Sequence, residues 1–223
     1  RALVLCQQYD EGIAHYKRVA KANPNSAGVL TELGSTLLRT KRNTEAIDAF
    51  RGALQARPES TDAKLGLALA LAANKNYGEA LPAYEEVLKT SPSNYDALQG
   101  KAFVLSWTGH YAESRAIFQS LAGRKPGDTQ NTESLKRIAS AEEEKKWQSL
   151  RPGSDGSPEA WIAFYDQRLA AYPGEMSSLK GRAYQLGKFN NNAATIQAYR
   201  QVLAANPDDN SAKREMARLL SRE

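Results

Sequence analysis

The chain has 223 residues, of which 41% are hydrophobic and 25% are charged, and its formal net charge is +5 at pH 7. With 15 glycines and 9 prolines the composition excludes a collagenous, low-complexity or wholly disordered chain. The longest apolar run, Leu65–Ala73, is about half as long as a membrane-spanning helix, and the basic residues are dispersed, so neither membrane insertion nor nucleic-acid binding is expected.

The chain begins with arginine, and no basic, apolar and small-residue succession of a signal peptide follows. We therefore expect a piece of a longer protein, and nothing in the sequence chooses between the periplasm and the cytoplasm. Arg1–Gln8 is predicted to be the tail of a helix. It holds the one cysteine, Cys6, whose apolar neighbours favour a buried small hydrophobe over a nucleophile.

Six prolines are spaced regularly along the rest of the chain, with separations of 34, 34, 34, 47 and 34 residues. They are Pro24, Pro58, Pro92, Pro126, Pro173 and Pro207. A period of 34 residues is typical of stacked helix–turn–helix units, and an X–Pro step disfavours continuation of the second helix of each unit. The spacing predicts an all-α solenoid of tandem antiparallel helix pairs.

Each of these prolines is preceded, eight residues earlier, by an aromatic residue: Tyr16, Phe50, Tyr84, Phe118, Tyr165 and Tyr199. Twelve residues before the proline stands a small residue in five of the six units: Gly12, Ala46, Ala80, Ser114 and Thr195. The exception is Trp161. Residues four apart share one helix face, so we expect the small residue to admit a neighbouring helix and the aromatic to fill the space beside it.

The first helix of several units carries a further pattern, Gly-x-Ala-x-x-Leu, which occurs at 66–71, 100–105 and 181–186. With the prolines and aromatics it resembles the tetratricopeptide repeat family. In the second unit the matching residues are Leu30, Leu33, Gly34, Leu37, Ala46, Phe50, Ala53 and Pro58. The resemblance covers essentially the whole chain and implies a single α–α superhelical array over residues 1–223, with about six units.

The fifth unit departs from the family pattern through 13 additional residues between Pro126 and Pro173. Its first helix is predicted to run on to Leu150, and the loop Arg151–Ser157 follows, so that the extension and loop occupy about 140–157. Ser157 and Pro158 are placed as N-cap and first residue of the next helix. In the sixth unit Asn190–Asn192 are expected to lengthen the turn, and a lone terminal helix is predicted over 209–222.

No catalytic or metal-ligating pattern is found. His15 and His110 have no metal-ligand spacing around them, and the adjacent carboxylates Glu142–Glu144 point in different directions on a helix. The sequence therefore predicts no enzyme activity, no cofactor and no metal site.

The resemblance implies that the first helices line a concave groove that binds a protein or peptide partner. At the groove positions Leu65, Leu69, Phe103 and Trp107 form an apolar strip, which Lys180 and Tyr184 extend. Arg39, Asp62, Asp96, Gln99 and Lys180 are expected to add specificity. The lysine and asparagine that grip chaperone tails in one subgroup of the family are not found together in any unit.

Three alternatives stay open at this point. The segment Gln99–Tyr111 is similar to repeats in the periplasmic portion of bacterial outer-membrane proteins that export polysaccharide, where the array bridges synthase and barrel. A second alternative is that the array is an accessory domain of an enzyme encoded elsewhere on the same polypeptide. Formation of a homo-oligomer through the terminal helix is the third alternative.

Overall fold

The computed structural model describes residues 9–189 and 192–221, and in these ranges it contains twelve α-helices and no β-strand. The helices are α1 (Tyr9–Ala22), α2 (Ala27–Arg39), α3 (Asn43–Ala56), α4 (Thr61–Ala73), α5 (Tyr77–Thr90), α6 (Tyr95–Trp107), α7 (Tyr111–Arg124), α8 (Thr129–Leu150), α9 (Pro158–Ala171), α10 (Met176–Gly187), α11 (Asn192–Ala205) and α12 (Asn210–Leu220). The all-α fold of helix pairs is confirmed. The predicted helix tail Arg1–Gln8 with Cys6, and the turn residues Asn190 and Asn191, lie outside the described residues.

Contacts divide the chain into two compact units, Arg1–Ser140 and Ala141–Glu223. The single array over 1–223 therefore stays a prediction. In the first compact unit helices α1 to α7 pack consecutively, and α4 also contacts both α2 and α6. The first helices of successive pairs thus lie side by side. Within the described residues, no helix combines the length and apolarity that crossing a membrane requires.

The small and aromatic residues of the second, third and fourth repeats are buried, as predicted. Ala46, Ala80 and Ser114 are fully buried, and Phe50 and Tyr84 are 1% exposed. The structure adds that each of these rings lies against a glycine of the next first helix. A Cβ built on Gly66 would be 2.2 Å from the ring of Phe50, and one on Gly100 would be 2.4 Å from the ring of Tyr84. Glycine at these positions is therefore required by close approach between helices.

The turns inside three consecutive pairs have the same backbone conformation. Lys41, Lys75 and Gly109 all have positive φ, at 60°, 63° and 82°. In each case the N–H of the following residue donates to a carbonyl five residues back, at 2.9 Å. This left-handed residue with a backbone hydrogen bond is a common way to close a helix, and it favours glycine, which only the third turn uses.

The predicted extension of the fifth unit is present in the structure. Helix α8 has 22 residues, against 13 in each of α2, α4 and α6. Ser157 is the N-cap of α9, its Oγ accepting a hydrogen bond from the Ala160 N–H at 3.3 Å, and Pro158 is the first helical residue. In the second compact unit, helices α9 to α12 pack consecutively. The terminal helix begins at Asn210, with Asp209 as its N-cap.

Candidate functional site

The exposed large hydrophobic side chains among residues 9–140 are Leu69 and Trp107, which are 37% and 55% exposed. Leu69 lies on α4 and Trp107 at the end of α6, and these two first helices contact each other. Leu65 and Phe103 precede them by one turn of the same helices and are half-buried. The apolar strip of Leu65, Leu69, Phe103 and Trp107 is therefore a partly exposed row on two neighbouring helices.

The indole of Trp107 is held in place by other aromatic rings although it is more than half exposed. It stacks on Phe103, with ring centroids 5.8 Å apart and an interplanar angle of 22°, and it lies 5.5 Å from Tyr77. Phe103 in turn meets the fully buried Phe118 edge to face at 5.0 Å. A side chain fixed in this way loses little conformational entropy when a partner covers it.

The exposed part of Trp107 is large enough to contribute strongly to binding. An aromatic side chain buries roughly 150–250 Å² when it is fully covered. Covering about half of that area, roughly 100 Å², would contribute about 2.5 kcal/mol at ~25 cal/mol per Å². This is the order of free energy that single anchor residues contribute at protein interfaces.

The predicted specificity residue Gln99 forms hydrogen bonds within a half-buried polar cluster of the protein itself. Its Nε2 donates to Asn131 Oδ1 at 3.0 Å and to Asp128 Oδ2 at 3.4 Å. Tyr95 completes the cluster, because its hydroxyl donates to Asp128 and accepts from Asn131 Nδ2, both at 2.6 Å. The hydrogen bond from Tyr95 is the main reason that the pKa of Asp128 lies below its usual value. With its amide N–H bound there, Gln99 is poorly placed to contact a partner.

The other predicted polar residues of the first compact unit lie towards the two ends of the strip. Asp62 and Asp96 are exposed in the first turns of α4 and α6. Arg39 is exposed in the last turn of α2, which contacts α4. The strip is thus apolar at its centre and charged at its margins.

Lys180 and Tyr184 lie on α10 in the second compact unit. They line a cavity of about 510 Å³, which α11 and α12 also line. Tyr184 is 62% exposed, and Lys188 Nζ lies 5.0 Å from the centre of its ring. Lys180 forms an ion pair with Asp209, the N-cap of α12. The hydrogen bond from Lys180 is the largest cause that lowers the pKa of Asp209. Lys180 therefore stabilises the start of α12, whereas Tyr184 is available to a ligand.

Sequence reasoning missed Tyr77 and the polar cluster around Gln99. Tyr77 is the first residue of α5, directly after a turn, and Tyr111 occupies the equivalent place in the next pair. That repetition of an aromatic residue after the turn could have indicated the role of Tyr77.

The two histidines lie apart in the structure. His15 is on α1, and His110 precedes α7, with its Nδ1 2.9 Å from Thr108 Oγ1. Among the described residues no group of histidine, cysteine and acidic side chains could hold a metal ion.

Comparison with known proteins supports the interpretation of the repeats. Two family models, both described as tetratricopeptide repeat, match residues 7–61 and 71–138, together more than half of the chain. No curated protein matches it.

Similar solved structures share the fold at low sequence identity. YrrB, described as a TPR protein with an unusual peptide-binding site, is 14% identical, with 90% of this chain and 96% of that chain covered and a TM-score of 0.50. MamA is 14% identical, with coverage of 92% and 87% and a TM-score of 0.51. The first TPR domain of human RPAP3 is 20% identical, with coverage of 56% and 98% and a TM-score of 0.51.

Proposed function

The chain belongs to the tetratricopeptide repeat family, and on that premise we propose that it is a non-catalytic scaffold that binds a segment of a partner protein. The apolar strip of Leu65, Leu69, Phe103 and Trp107 is the proposed binding surface. The observation that carries this proposal is Trp107, which is 55% exposed and yet fixed by Phe103 and Tyr77. An exposed aromatic residue that is already ordered is typical of an interface anchor.

The surroundings of the strip indicate what the bound segment contains. Covering Leu69 and Trp107 requires at least one large apolar side chain in the partner. Asp62, Asp96 and Arg39 at the margins then favour polar or charged residues on either side of that anchor, where they set orientation more than affinity. The peptide-binding site described for YrrB accords with this class of function for the shared fold.

A library of displayed random peptides, selected on the wild-type chain, tests the proposal. Peptides enriched by selection should carry a large apolar residue, and their affinity should fall about 30-fold or more in Trp107→Ala, because an anchor residue contributes 2 kcal/mol or more. Leu69→Ala should weaken them less, since Leu69 is less exposed. Circular dichroism shows whether each variant keeps its helices.

Gln119→Ala is the matched control, because Gln119 is an exposed residue on the second helix α7. It should leave peptide affinity unchanged. If the enriched peptides bind Trp107→Ala as tightly as the wild type, the strip is not the binding surface. The export alternative has no support in the matches above, so we propose the scaffold function alone.

A further inference from the structure

The extension of the fifth unit builds an aromatic pocket in the second compact unit, between the end of α8, helix α9 and the start of α10. Its volume is about 300 Å³. Trp147 and Phe164, 4% and 8% exposed, form its buried side, and the half-buried rings of Trp161 and Tyr165 form its open side. The volume is at the lower end of the range of roughly 300–1,000 Å³ for ligand sites, which suits one large side chain with its neighbours.

Two of these aromatic residues depart from the repeat pattern. Trp147 lies in the part of α8 that exceeds the 13 residues of the regular first helices. Trp161 stands where each of the other five units has a small residue. Tyr165, in contrast, is the regular aromatic of its unit and packs on Gly181, as Tyr84 packs on Gly100. The pocket is therefore a feature of the extended unit and is not required by the packing that all units share.

The rings around the pocket support one another. Trp161 and Tyr165 stack with centroids 5.7 Å apart and an angle of 29°, and Phe164 meets Trp161 nearly at right angles at 5.9 Å. Trp147 contacts Phe164 edge to face at 6.1 Å. The pocket walls are therefore ordered before any ligand arrives, which reduces the entropy lost on binding.

The charged groups at the pocket are not equivalent. Arg168 is neutralised by Glu175, to which it donates two hydrogen bonds of 2.5 and 2.6 Å, and Glu144 adds to the field that raises the pKa of Arg168. Glu144 also accepts a hydrogen bond from Gln148 at 3.3 Å. Arg151 is exposed and lies over the ring of Trp161, 5.5 Å from its centre. Within the described part of the chain, no carboxylate forms an ion pair with Arg151.

We propose that this pocket binds an acidic peptide segment, in which an apolar ring enters between the aromatic walls and an adjacent carboxylate pairs with Arg151. A guanidinium stacked on an indole keeps its N–H edges free for a carboxylate. The cations among the described lining residues are Arg151 and Arg168. Because Glu175 pairs with Arg168, Arg151 is the one of these two whose charge is left for a ligand. The pocket lies in the other compact unit from the apolar strip, so the two proposals stand or fall separately.

Three capped tripeptides with the same central ring test the proposal: Glu-Phe-Glu, Gln-Phe-Gln and Lys-Phe-Lys. The indole N–H signals of Trp107, Trp147 and Trp161 in NMR spectra of the full chain, assigned by Trp→Phe variants, report where each peptide binds. Glu-Phe-Glu should shift the Trp161 signal in a saturable way and bind roughly threefold to tenfold more tightly than Gln-Phe-Gln, with Lys-Phe-Lys weakest. The Trp107 signal should move less than that of Trp161.

Arg151→Glu should reverse the order of the three peptides, and the retained Trp147 signal shows that the pocket stays folded. Arg200→Glu is the matched control, because Arg200 is an exposed arginine of the same unit on α11, and it should leave the order unchanged. Equal affinity for the three peptides, no shift of Trp161 at millimolar peptide, or an unchanged order in Arg151→Glu would each overturn the proposal. A neutral glucose oligomer that shifts Trp161 more strongly than any peptide would overturn it as well.

Discussion

The ring of Tyr84 lies against the α-carbon of Gly100, so that a Cβ added to Gly100 would come within 2.4 Å of Tyr84 Cζ. Tyr84 is 1% exposed, and its burial raises the pKa of its hydroxyl. Helix α5 thus reaches the first helix of the next pair, α6, at a point where no side chain separates ring and backbone. The buried ring has little room to move away.

Gly100→Ala is therefore expected to lower the free energy of unfolding by about 1–3 kcal/mol, the usual cost of overpacking a filled core. The gain in helix propensity of roughly 0.5–1 kcal/mol offsets only part of this cost. Urea denaturation followed by circular dichroism measures the change.

Gly123→Ala is the control for this substitution, because Gly123 lies in α7 and nothing is within 4 Å of an added Cβ. It should leave the urea midpoint unchanged or raise it slightly. A Gly100→Ala variant that is as stable as Gly123→Ala would show that the ring of Tyr84 can shift at little cost.

The polar cluster around Asn131 gives a second prediction. Asn131 is fully buried, donates to the Tyr95 hydroxyl and accepts from Gln99. Asn131→Ala removes a partner from both groups, and we expect a loss of about 1–3 kcal/mol in unfolding free energy. Gln130→Ala, at the exposed neighbouring position, should change stability by less than about 0.5 kcal/mol. Equal stability of the two variants in urea would show that water replaces the lost hydrogen bonds.

The hydrogen bonds of the Glu45 carboxylate are expected to make the stability of the first compact unit depend on pH. Its carboxylate accepts hydrogen bonds from Arg42 at 2.6 and 2.8 Å and from Lys17 at 2.8 Å, and these bonds lower its pKa to about 2, Arg42 contributing most. Because the folded-state pKa lies below the ordinary value of 4.5, the stabilisation is complete above pH 4.5 and is lost as the pH falls towards 2.

Glu45→Gln should accordingly be less stable than the wild type at pH 7, and the two chains should converge in thermal melts at pH 2–3. Added salt should narrow the difference at pH 7, since the three side chains are partly exposed. Glu113→Gln, at an exposed position of α7 with no ion pair within the described residues, controls for the loss of one negative charge. A difference between wild type and Glu45→Gln that is the same at pH 3 and pH 7 would contradict the assignment.

Much of the fold could be predicted from the sequence because its determinants recur at a fixed interval. The prolines, the aromatics and, in five of six repeats, the small residue four positions before the aromatic mark the second helices. The structure buries Phe50, Tyr84 and Phe118 accordingly. The cap formed by Ser157 and Pro158 was also predictable, since capping depends on residues next to each other in the chain.

The details of the site were harder to predict because they depend on residues that are far apart in sequence. Gln99 occupies a groove position by the repeat, but its amide is bound by Asn131, which is 32 residues away. The position of the Trp107 ring is fixed by its contacts with Tyr77 and Phe103, and the repeat pattern gave no indication of the contact with Tyr77. A periodic pattern predicts which helix face a residue occupies, whereas its partners depend on the neighbouring units.

The shared conformation of Lys41, Lys75 and Gly109 makes the turns of three pairs structurally equivalent junctions. Deleting residues 42–75 would join Lys41 to Asn76, and the new junction would keep a left-handed residue followed by the donor of the closing hydrogen bond. The same equivalence would allow a block of this length to be duplicated. At these turns recombination can therefore change the number of repeats in the gene without creating a loop of a new kind.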